Sequence, residues 1–381
     1  MSEDPLAVGI HNLLLYGDLI RALTALATAG VPVIVLKGAA LADTIYPSLA
    51  DRPMNDVDLL VQPHDRDRAR AALEGAGYRF LPEPQQRFGP FDTGFTGEMQ
   101  FRRSEHNVIE LHWELTANEW LRRLTALDAA ALWRDARPFA IGPARGLQLS
   151  PCDTLQHLCL HLSAHGYTHA NGWRDIRQLL AHERSFPWER FVARARQFRL
   201  TAVCYFVLEA IASASSSIGP ENRPPTPQPP PCEGRGAVLP PLLAGEGGQG
   251  GEVPPAVLAA LRPSPWQRRL VPLIADPRQG LAGELTHSKP RGYLLHLALA
   301  DRLADLLRVL VWLFFPGLRW LAERYRLRGR WRAWLACLWH PGVVLAQGLA
   351  GLWALASPRP FAFSPRAGVS YGHSLTDDPT L

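Results

Sequence analysis

A seven-residue run from Asn55 to Val61 combines side-chain alternation with two acidic residues. In an extended strand successive side chains point to opposite faces, so Asp56, Asp58 and Leu60 share one face. The apolar residues that alternate with them share the other face, which can pack on a core. The two carboxylates then lie about 6 to 7 Å apart along the strand. Because such a pair is unfavourable in apolar surroundings unless a cation or solvent neutralises it, the run predicts an acidic site on a half-buried strand.

The segments around this run alternate between strand and helix patterns. An apolar strand, Val33 to Leu36, ends at Lys37-Gly38, and a helix from Ala39 to Ile45 is expected after that turn. Helical patterns also cover Pro5 to Ala29 and Pro63 to Gly75. Strands that alternate with helices are typical of a mixed α/β sheet, so the fold class predicted for this part is α/β (α+β).

A second acidic face is predicted further along the chain. Two alternating segments, 98–103 and 107–115, are joined by a short polar turn and read as an antiparallel hairpin. In the second strand Glu110, His112 and Glu114 fall on one face. A short helix is expected from Leu124 to Trp133.

Several motifs resemble one bacterial family, the uncharacterised nucleotidyltransferases of the DNA polymerase β-like superfamily. They are Leu36-Lys37-Gly38, Tyr46-Pro47, Arg52 and Asp56-Val57-Asp58-Leu59-Leu60-Val61. The likeness continues through Glu110-Leu111-His112-Trp113 and a His-rich helix after Pro151. It covers residues 5 to 210 well and residues 256 to 330 more loosely.

The resemblance implies a metal site and a reaction. Asp56 and Asp58 would be catalytic and would bind metal, with Glu110 as the third acid and Glu114 as its alternate. Two Mg²⁺ ions are implied, since hard cations take carboxylate oxygens together with substrate phosphates. The implied reaction is attack by an acceptor hydroxyl on the α-phosphate of a nucleoside triphosphate, expected to be ATP, with release of pyrophosphate.

The same resemblance suggests how the nucleotide would be held. Gly38 would let backbone amides approach the triphosphate, and Lys37 and Arg52 would neutralise its charge. The turn reads Lys37-Gly38-Ala39, whereas the superfamily usually has Gly-Ser or Gly-Gly there. A non-catalytic nucleotide-binding or regulatory module with the same fold therefore stays open as an alternative.

Histidines recur on the helix predicted from Pro151 to Ala164. His157, His161 and His165 are four residues apart and share one face. They could bind zinc, although three successive turns of one straight helix converge poorly on a tetrahedral ion. They could also pack or cap, or line the pocket of the acceptor. The resemblance favours an acceptor pocket with His112, His161 and His165, for a sugar, peptide or protein acceptor.

The predicted domain organisation follows from composition. A nucleotidyltransferase-like domain is expected over 1–150 and a helical region over 151–212. The Ser-, Pro- and Gly-rich stretch 213–255 cannot bury enough apolar surface to fold and is expected to be a disordered linker or insertion. Helical patterns return over 256–332, an uncharged apolar segment covers 333–357, and a disordered tail is expected over 358–381.

Charge and cysteine content bear on location and partners. The net charge of +5 is too small and dispersed to indicate nucleic acid, so no nucleic-acid partner is expected. Five scattered cysteines without a CxxC motif, and an N-terminus without a basic region, favour the cytoplasm and no signal peptide. The arginine-rich block 319–332 precedes the uncharged segment 333–357, which has the length of a membrane span and equally suits an interfacial helix. Peripheral contact with the inner face of the membrane is therefore also open.

Overall fold

The computed structural model describes residues 4–81, 97–104, 107–217, 252–274, 289–325, 327 and 329–356. Most of the predicted linker 213–255 and the whole predicted tail 358–381 lie outside the described residues, as does Cys232.

Seven strands of the described chain form one mixed sheet. They are β1 (Ile34–Val35), β2 (Asp56–Leu60), β3 (Arg79–Leu81), β4 (Glu98–Arg102), β5 (Val108–His112), β6 (Arg137–Ile141) and β7 (Ala144–Gln148). Their order across the sheet is β3-β4-β5-β2-β1-β7-β6. β2 runs parallel to β5 and β1 runs parallel to β7, while the other neighbours are antiparallel. The mixed sheet and the hairpin of β4 with β5 confirm the predictions.

Helices make up the rest of the regular structure. Up to residue 217 they are α1 (Pro5–Thr28), α2 (Lys37–Thr44), α3 (Arg66–Gly75), α4 (Glu119–Leu124), α5 (Ala129–Asp135), α6 (Pro151–Ala164), α7 (Ala170–His182), α8 (Trp188–Phe198) and α9 (Thr201–Ser217). They continue as α10 (Pro255–Leu261), α11 (Pro265–Ile274), α12 (Lys289–Ala298), α13 (Leu303–Phe314), α14 (Leu318–Arg324) and α15 (Arg330–Ala356). The fold is therefore α+β with a helical C-terminal region, as predicted.

Two local predictions were wrong, and one hairpin was missed. The helix expected over 124–133 is replaced by α4 and α5, because Asn118 and Asp128 each cap a separate helix: their side chains accept bonds from Leu121 N and Ala131 N. The hairpin of β6 and β7 was not predicted, and its turn contains Gly142 at φ +51°. Helix α2 begins at Lys37, not Ala39, so the left-handed φ of +43° falls on Lys37 itself.

The sheet is covered on both faces. Val57 and Leu59 pack on one side with Leu19 and Leu23 of α1. Leu60 packs on the other side in a core that includes side chains of α6, α7, α8 and α9. Asp56 and Asp58 share the face of Leu60, so the acidic face of β2 looks toward the α6–α9 layer. This second core contains side chains from both sides of residue 150. The domain boundary predicted at residue 150 stays a prediction.

One described helix, α1, is long and apolar enough to cross a membrane. Its residues Leu15, Leu19, Leu23 and Leu26 are almost completely buried in the first core. The uncharged segment predicted over 333–357 lies mainly in α15.

Candidate active site

Strand register brings the acidic residues together. Asp58 of β2 lies directly opposite Glu110 of β5, and Glu98 of β4 lies directly opposite His112 of β5. Asp56 lies two residues before Asp58 on the same face. All five side chains line one cavity of about 510 Å³ between the sheet and α6. Four of them were predicted from the sequence, and Glu98 was missed.

Two cations already contact Asp58. Lys37 Nζ lies 2.7 Å from Asp58 Oδ1, and His112 Nε2 lies 3.0 Å from the same oxygen. His112 also lies 3.2 Å from Glu98 and 3.6 Å from Glu110. Burial opposes the charged form of His112, but its hydrogen bonds to Asp58 and Glu110 raise the pKa to about 9. His112 is therefore an imidazolium at neutral pH that links the acidic residues of three strands.

The carboxyls differ in pKa because their partners differ. Burial alone would raise the pKa of Asp58, but Lys37 and the hydrogen bond with His112 lower it below its ordinary value. Burial, reinforced by Asp58 and Glu110, raises the pKa of Asp56 to about 7. Burial also raises the pKa of Glu98 to about 7. Asp56 and Glu98 are therefore carboxyls whose charged forms this buried site disfavours.

These residues fit a divalent cation. Among the described residues, Asp58, Glu110 and His112 bring three ligand atoms within 4.8 Å of one another. Both nitrogens of His112 already face carboxylates, so a hard cation would take the carboxylate oxygens. Burial, together with the charges of Asp58 and Glu110, raises the pKa of Asp56 because the charged carboxylate is unfavourable there. A bound cation would stabilise that charged form. The Lys37 ammonium group currently stands in for such a cation on Asp58.

The two other predicted phosphate ligands have structural partners. Arg52 Nε and Nη2 donate to the two carboxylate oxygens of Asp175 at 2.9 and 2.8 Å, and the Tyr46 hydroxyl donates to Asp175 at 2.6 Å. Gly38 lies under Arg52, where an added Cβ would come within 3.2 Å of Arg52 Cζ. Both residues line the cavity, but the guanidinium group of Arg52 is already paired with the Asp175 carboxylate of α7. Their predicted binding of phosphate stays a prediction.

Histidines form the opposite wall of the cavity. His157 and His161 of α6 and His165 at its C-cap line it as the spacing predicted, and His169 at the N-cap of α7 joins them. The ring centroid of His161 lies 4.5 Å from that of His165 and 5.2 Å from that of His169. Within the described residues these histidines do not bring three ligand atoms within metal-binding distance, which argues against zinc. His169 was missed although the four-residue spacing of the other histidines continues to it, because it lies beyond the predicted helix, at the N-cap of α7.

The histidine wall is uncharged at neutral pH. Burial, with a contribution from Lys37, lowers the pKa of His157 to about 3 and that of His161 well below its ordinary value. Both ring nitrogens of His157 are buried, and neither has a hydrogen-bond partner among the residues that the structure describes. A buried polar group without a partner is destabilising. These histidines could therefore form hydrogen bonds with a molecule bound in the cavity.

Comparison with protein-family models identifies a family for the described sheet and its cavity. A family model described as uncharacterised nucleotidyltransferase matches residues 2–214, which include the whole sheet and every residue that lines the cavity. No curated protein matches the chain significantly.

Proposed function

This chain belongs to the uncharacterised nucleotidyltransferases, and we propose that it transfers a nucleoside monophosphate from a nucleoside triphosphate to an acceptor hydroxyl. Family membership supports a general role in nucleotidyl transfer. The observation that carries the finer proposal is the acidic cluster Asp56, Asp58 and Glu110, which shares one cavity with a wall of neutral histidines. Mg²⁺, ATP and the acceptor are parts of the proposal.

The three acids would hold the Mg²⁺ ions. Bound Mg²⁺ supplies charge stabilisation for the triphosphate and the leaving pyrophosphate. Lys37 would share Asp58 with the cation or turn toward a phosphate; the distance of 2.7 Å between its ammonium group and Asp58 Oδ1 supports this role. Although burial favours the neutral amine, Asp58 raises the pKa of Lys37, which keeps the lysine charged.

The reaction also needs a group that takes the acceptor proton. As the acceptor oxygen bonds to the α-phosphorus, the bond to pyrophosphate breaks and the hydroxyl proton must leave. Asp56 and Glu98 have pKa values of about 7, at which a carboxylate accepts a proton and returns it to solvent. Glu98 is the better candidate, because Asp56 belongs to the proposed metal ligands.

Acceptor binding is assigned to the histidine wall. Neutral imidazoles offer both a donor and an acceptor, which suits hydroxyl groups better than anions. This favours a sugar, or a hydroxyl-bearing peptide or protein, as the acceptor. His112 lies within the acidic cluster as a cation, so the acceptor side is formed by His161 and His165 without it.

The proposal is tested by incubating the full chain with each nucleoside triphosphate labelled at the α-phosphate, Mg²⁺ and a panel of hydroxyl-bearing acceptors. Label transfer with pyrophosphate release, both stopped by chelation of the metal, supports the enzyme. Metal-dependent binding of the triphosphate, without release of pyrophosphate from it in the presence of any acceptor, supports the alternative, a nucleotide-binding module. This alternative stays open because Lys37 forms an ion pair with Asp58, one of the proposed metal ligands.

Substitution of His161 by alanine should raise the KM for the acceptor about tenfold, the loss expected for one hydrogen bond of about 1.4 kcal/mol. The KM for the triphosphate should stay unchanged, because the histidines face the acceptor side. Steady-state kinetics with both substrates measures the two constants. His182→Ala is the control, since His182 is an exposed histidine of α7 outside the cavity wall. Equal effects on both KM values would contradict the assignment.

Metal affinity should depend on pH. Asp56 must lose its proton to bind a cation, and its pKa is about 7. The ionised fraction of such a group rises about tenfold between pH 6 and pH 8, so the affinity for Mn²⁺ should rise by a similar factor. Electron paramagnetic resonance of free Mn²⁺ measures this affinity. Glu98→Gln should keep the dependence, whereas an affinity that stays constant from pH 6 to pH 8 would exclude Asp56 as a ligand.

A further inference from the structure

Exposed apolar side chains are concentrated in the C-terminal helices. The described residues expose eighteen large apolar side chains, and eleven of them lie between Leu303 and Leu349. None lies between residues 15 and 265, which include the whole sheet and the candidate active site. The remaining seven lie in α1 and α11, so more than half of the exposed apolar side chains belong to one region, which needs a local explanation.

Helix α15 has its small residues inside and its large residues outside. Ala333, Ala336, His340 and Val344 recur at helical spacing and are buried. The opposite face is exposed and holds Trp331, Trp334, Leu335, Leu338, Leu345 and Leu349. Trp334 is 61% exposed and Leu338 is 80% exposed. A helix at a water-facing surface has the reverse pattern, with its polar side chains outside.

Helix α13 repeats this arrangement. Leu303, Leu307 and Val311 lie four residues apart and are 53 to 70% exposed, and Phe315 continues the row just beyond the helix at 68%. Asp305 and Val309 on the inner side are buried.

The two helices belong to one layer. They pack against each other, and a row of rings joins their inner sides: Trp312 lies 5.6 Å from Trp320, which lies 5.5 Å from His340. His340 Nε2 also lies 2.9 Å from the backbone oxygen of Leu313. We name the exposed apolar side chains of α13 and α15, with Phe315, the outer apolar surface.

In the sequence, a basic block precedes the uncharged part of α15. Residues 318–332 contain six arginines and one glutamate, and residues 333–356 contain no charged side chain. Tryptophan favours the boundary between lipid headgroups and acyl chains, and arginine is attracted to anionic headgroups. A helix with this order of charge and exposed apolar side chains matches the interface of an anionic bilayer.

We propose that the outer apolar surface docks the protein on an anionic phospholipid bilayer, with α15 in the plane of the interface. The inner face of α15 packs on α12, α13 and α14, so α15 contacts lipid along one side and does not cross the bilayer. The docked layer also packs on α4, where Arg123 lies 4.0 Å from the ring centroid of Trp312. The loop before α4 lines the candidate active site through Leu115 to Asn118. Docking would therefore place the cavity near the membrane surface.

The test is co-sedimentation of the full chain with vesicles of phosphatidylcholine alone and of phosphatidylcholine with phosphatidylglycerol. Trp334→Ser/Leu338→Ser changes two exposed side chains and should keep the fold, which circular dichroism checks. The wild type should bind the anionic vesicles at least tenfold more tightly than the neutral ones, with weaker binding at high salt. The double variant should lose at least tenfold in affinity. Brominated lipids should quench the tryptophan fluorescence of the bound wild type.

Ile10→Ser/Leu13→Ser is the matched control, because these side chains are exposed apolar residues of α1. This control should bind like the wild type. Two results would overturn the proposal. One is equal binding by the wild type and Trp334→Ser/Leu338→Ser. The other is a lipid-free dimer, seen by light scattering, that this double variant dissociates, which would assign the surface to a second copy of the chain.

Discussion

Replacement of Asp56 by asparagine should abolish nucleotidyl transfer while the protein stays folded and becomes at least as stable as the wild type. The amide keeps the shape of the side chain but gives up the anionic oxygen proposed to hold Mg²⁺. We expect the rate of transfer to fall by on the order of 10³-fold or more, as for other groups that stabilise developing charge. The assay with α-labelled triphosphate measures this loss.

The stability of the Asp56→Asn variant should depend on pH in a defined direction. The pKa of Asp56 is raised from 3.8 to about 7 in the folded protein, so its ionisation destabilises the fold as the pH rises through this interval. Asparagine escapes this penalty, which is on the order of a few kcal/mol at pH 8 and small near pH 4. Urea unfolding of metal-free protein should therefore show a larger gain for the variant at pH 8 than at pH 5. A variant that is less stable at pH 8 would contradict the strain assigned to Asp56.

Two further acids provide a matched comparison. Glu110→Gln should also stop transfer, since Glu110 lies opposite Asp58 and lines the cavity. Glu114→Gln should leave transfer unchanged, because Glu114 lies outside β5 and does not line the cavity. Both are glutamates of one short segment, so the pair separates a role in the site from a general effect of charge. Loss of transfer in Glu114→Gln alone would make Glu114 the third acid.

Local patterns were sufficient to predict much of this fold. Alternation placed Asp56 with Asp58 and Glu110 with His112 on their faces, because side-chain direction in a strand is set by the backbone alone. Cap residues decided the helix ends, and the single helix predicted over 124–133 failed because the cap at Asp128 was overlooked. The same alternation in 98–102 contained the signal for Glu98. Only the register of β4 with β5 showed that this glutamate faces His112.

Pairings between distant residues could not be predicted. Arg52 and Asp175 are 123 residues apart, and no local pattern relates them. In the sequence Arg52 is a cation close to an acidic strand, with no visible partner. The resemblance therefore predicted that it binds phosphate. The exposure of Trp334 and Leu338 could not be predicted either, because it depends on contacts between distant helices. Periodicity shows that a helix is amphipathic, but the packing of α12, α13 and α14 determines which face is covered.

Removal of the Asp175 carboxylate should destabilise the protein by about 3 to 5 kcal/mol, the loss expected when one member of a buried ion pair is removed. Arg52 is 6% exposed and Asp175 is 1% exposed, so the charge left on Arg52 would be poorly solvated. The measurement is the free energy of unfolding in urea for Asp175→Leu. Arg174→Ala is the control and should change stability by less than about 0.5 kcal/mol, because Arg174 is exposed. A loss below about 1 kcal/mol in Asp175→Leu would contradict a structural role for the pair.

The double variant Arg52→Met/Asp175→Leu separates stability from nucleotide binding. It removes both charges, so it should be more stable than either single variant. The Tyr46 hydroxyl loses its acceptor in Asp175→Leu and in the double variant alike. The guanidinium fork of Arg52 is already paired with Asp175, and we therefore expect the double variant to bind the triphosphate with unchanged affinity. Titration calorimetry measures that affinity. A rise of tenfold or more in the Kd of a variant that has regained stability would restore Arg52 as a phosphate ligand, and Asp175 would then be the residue that orients it.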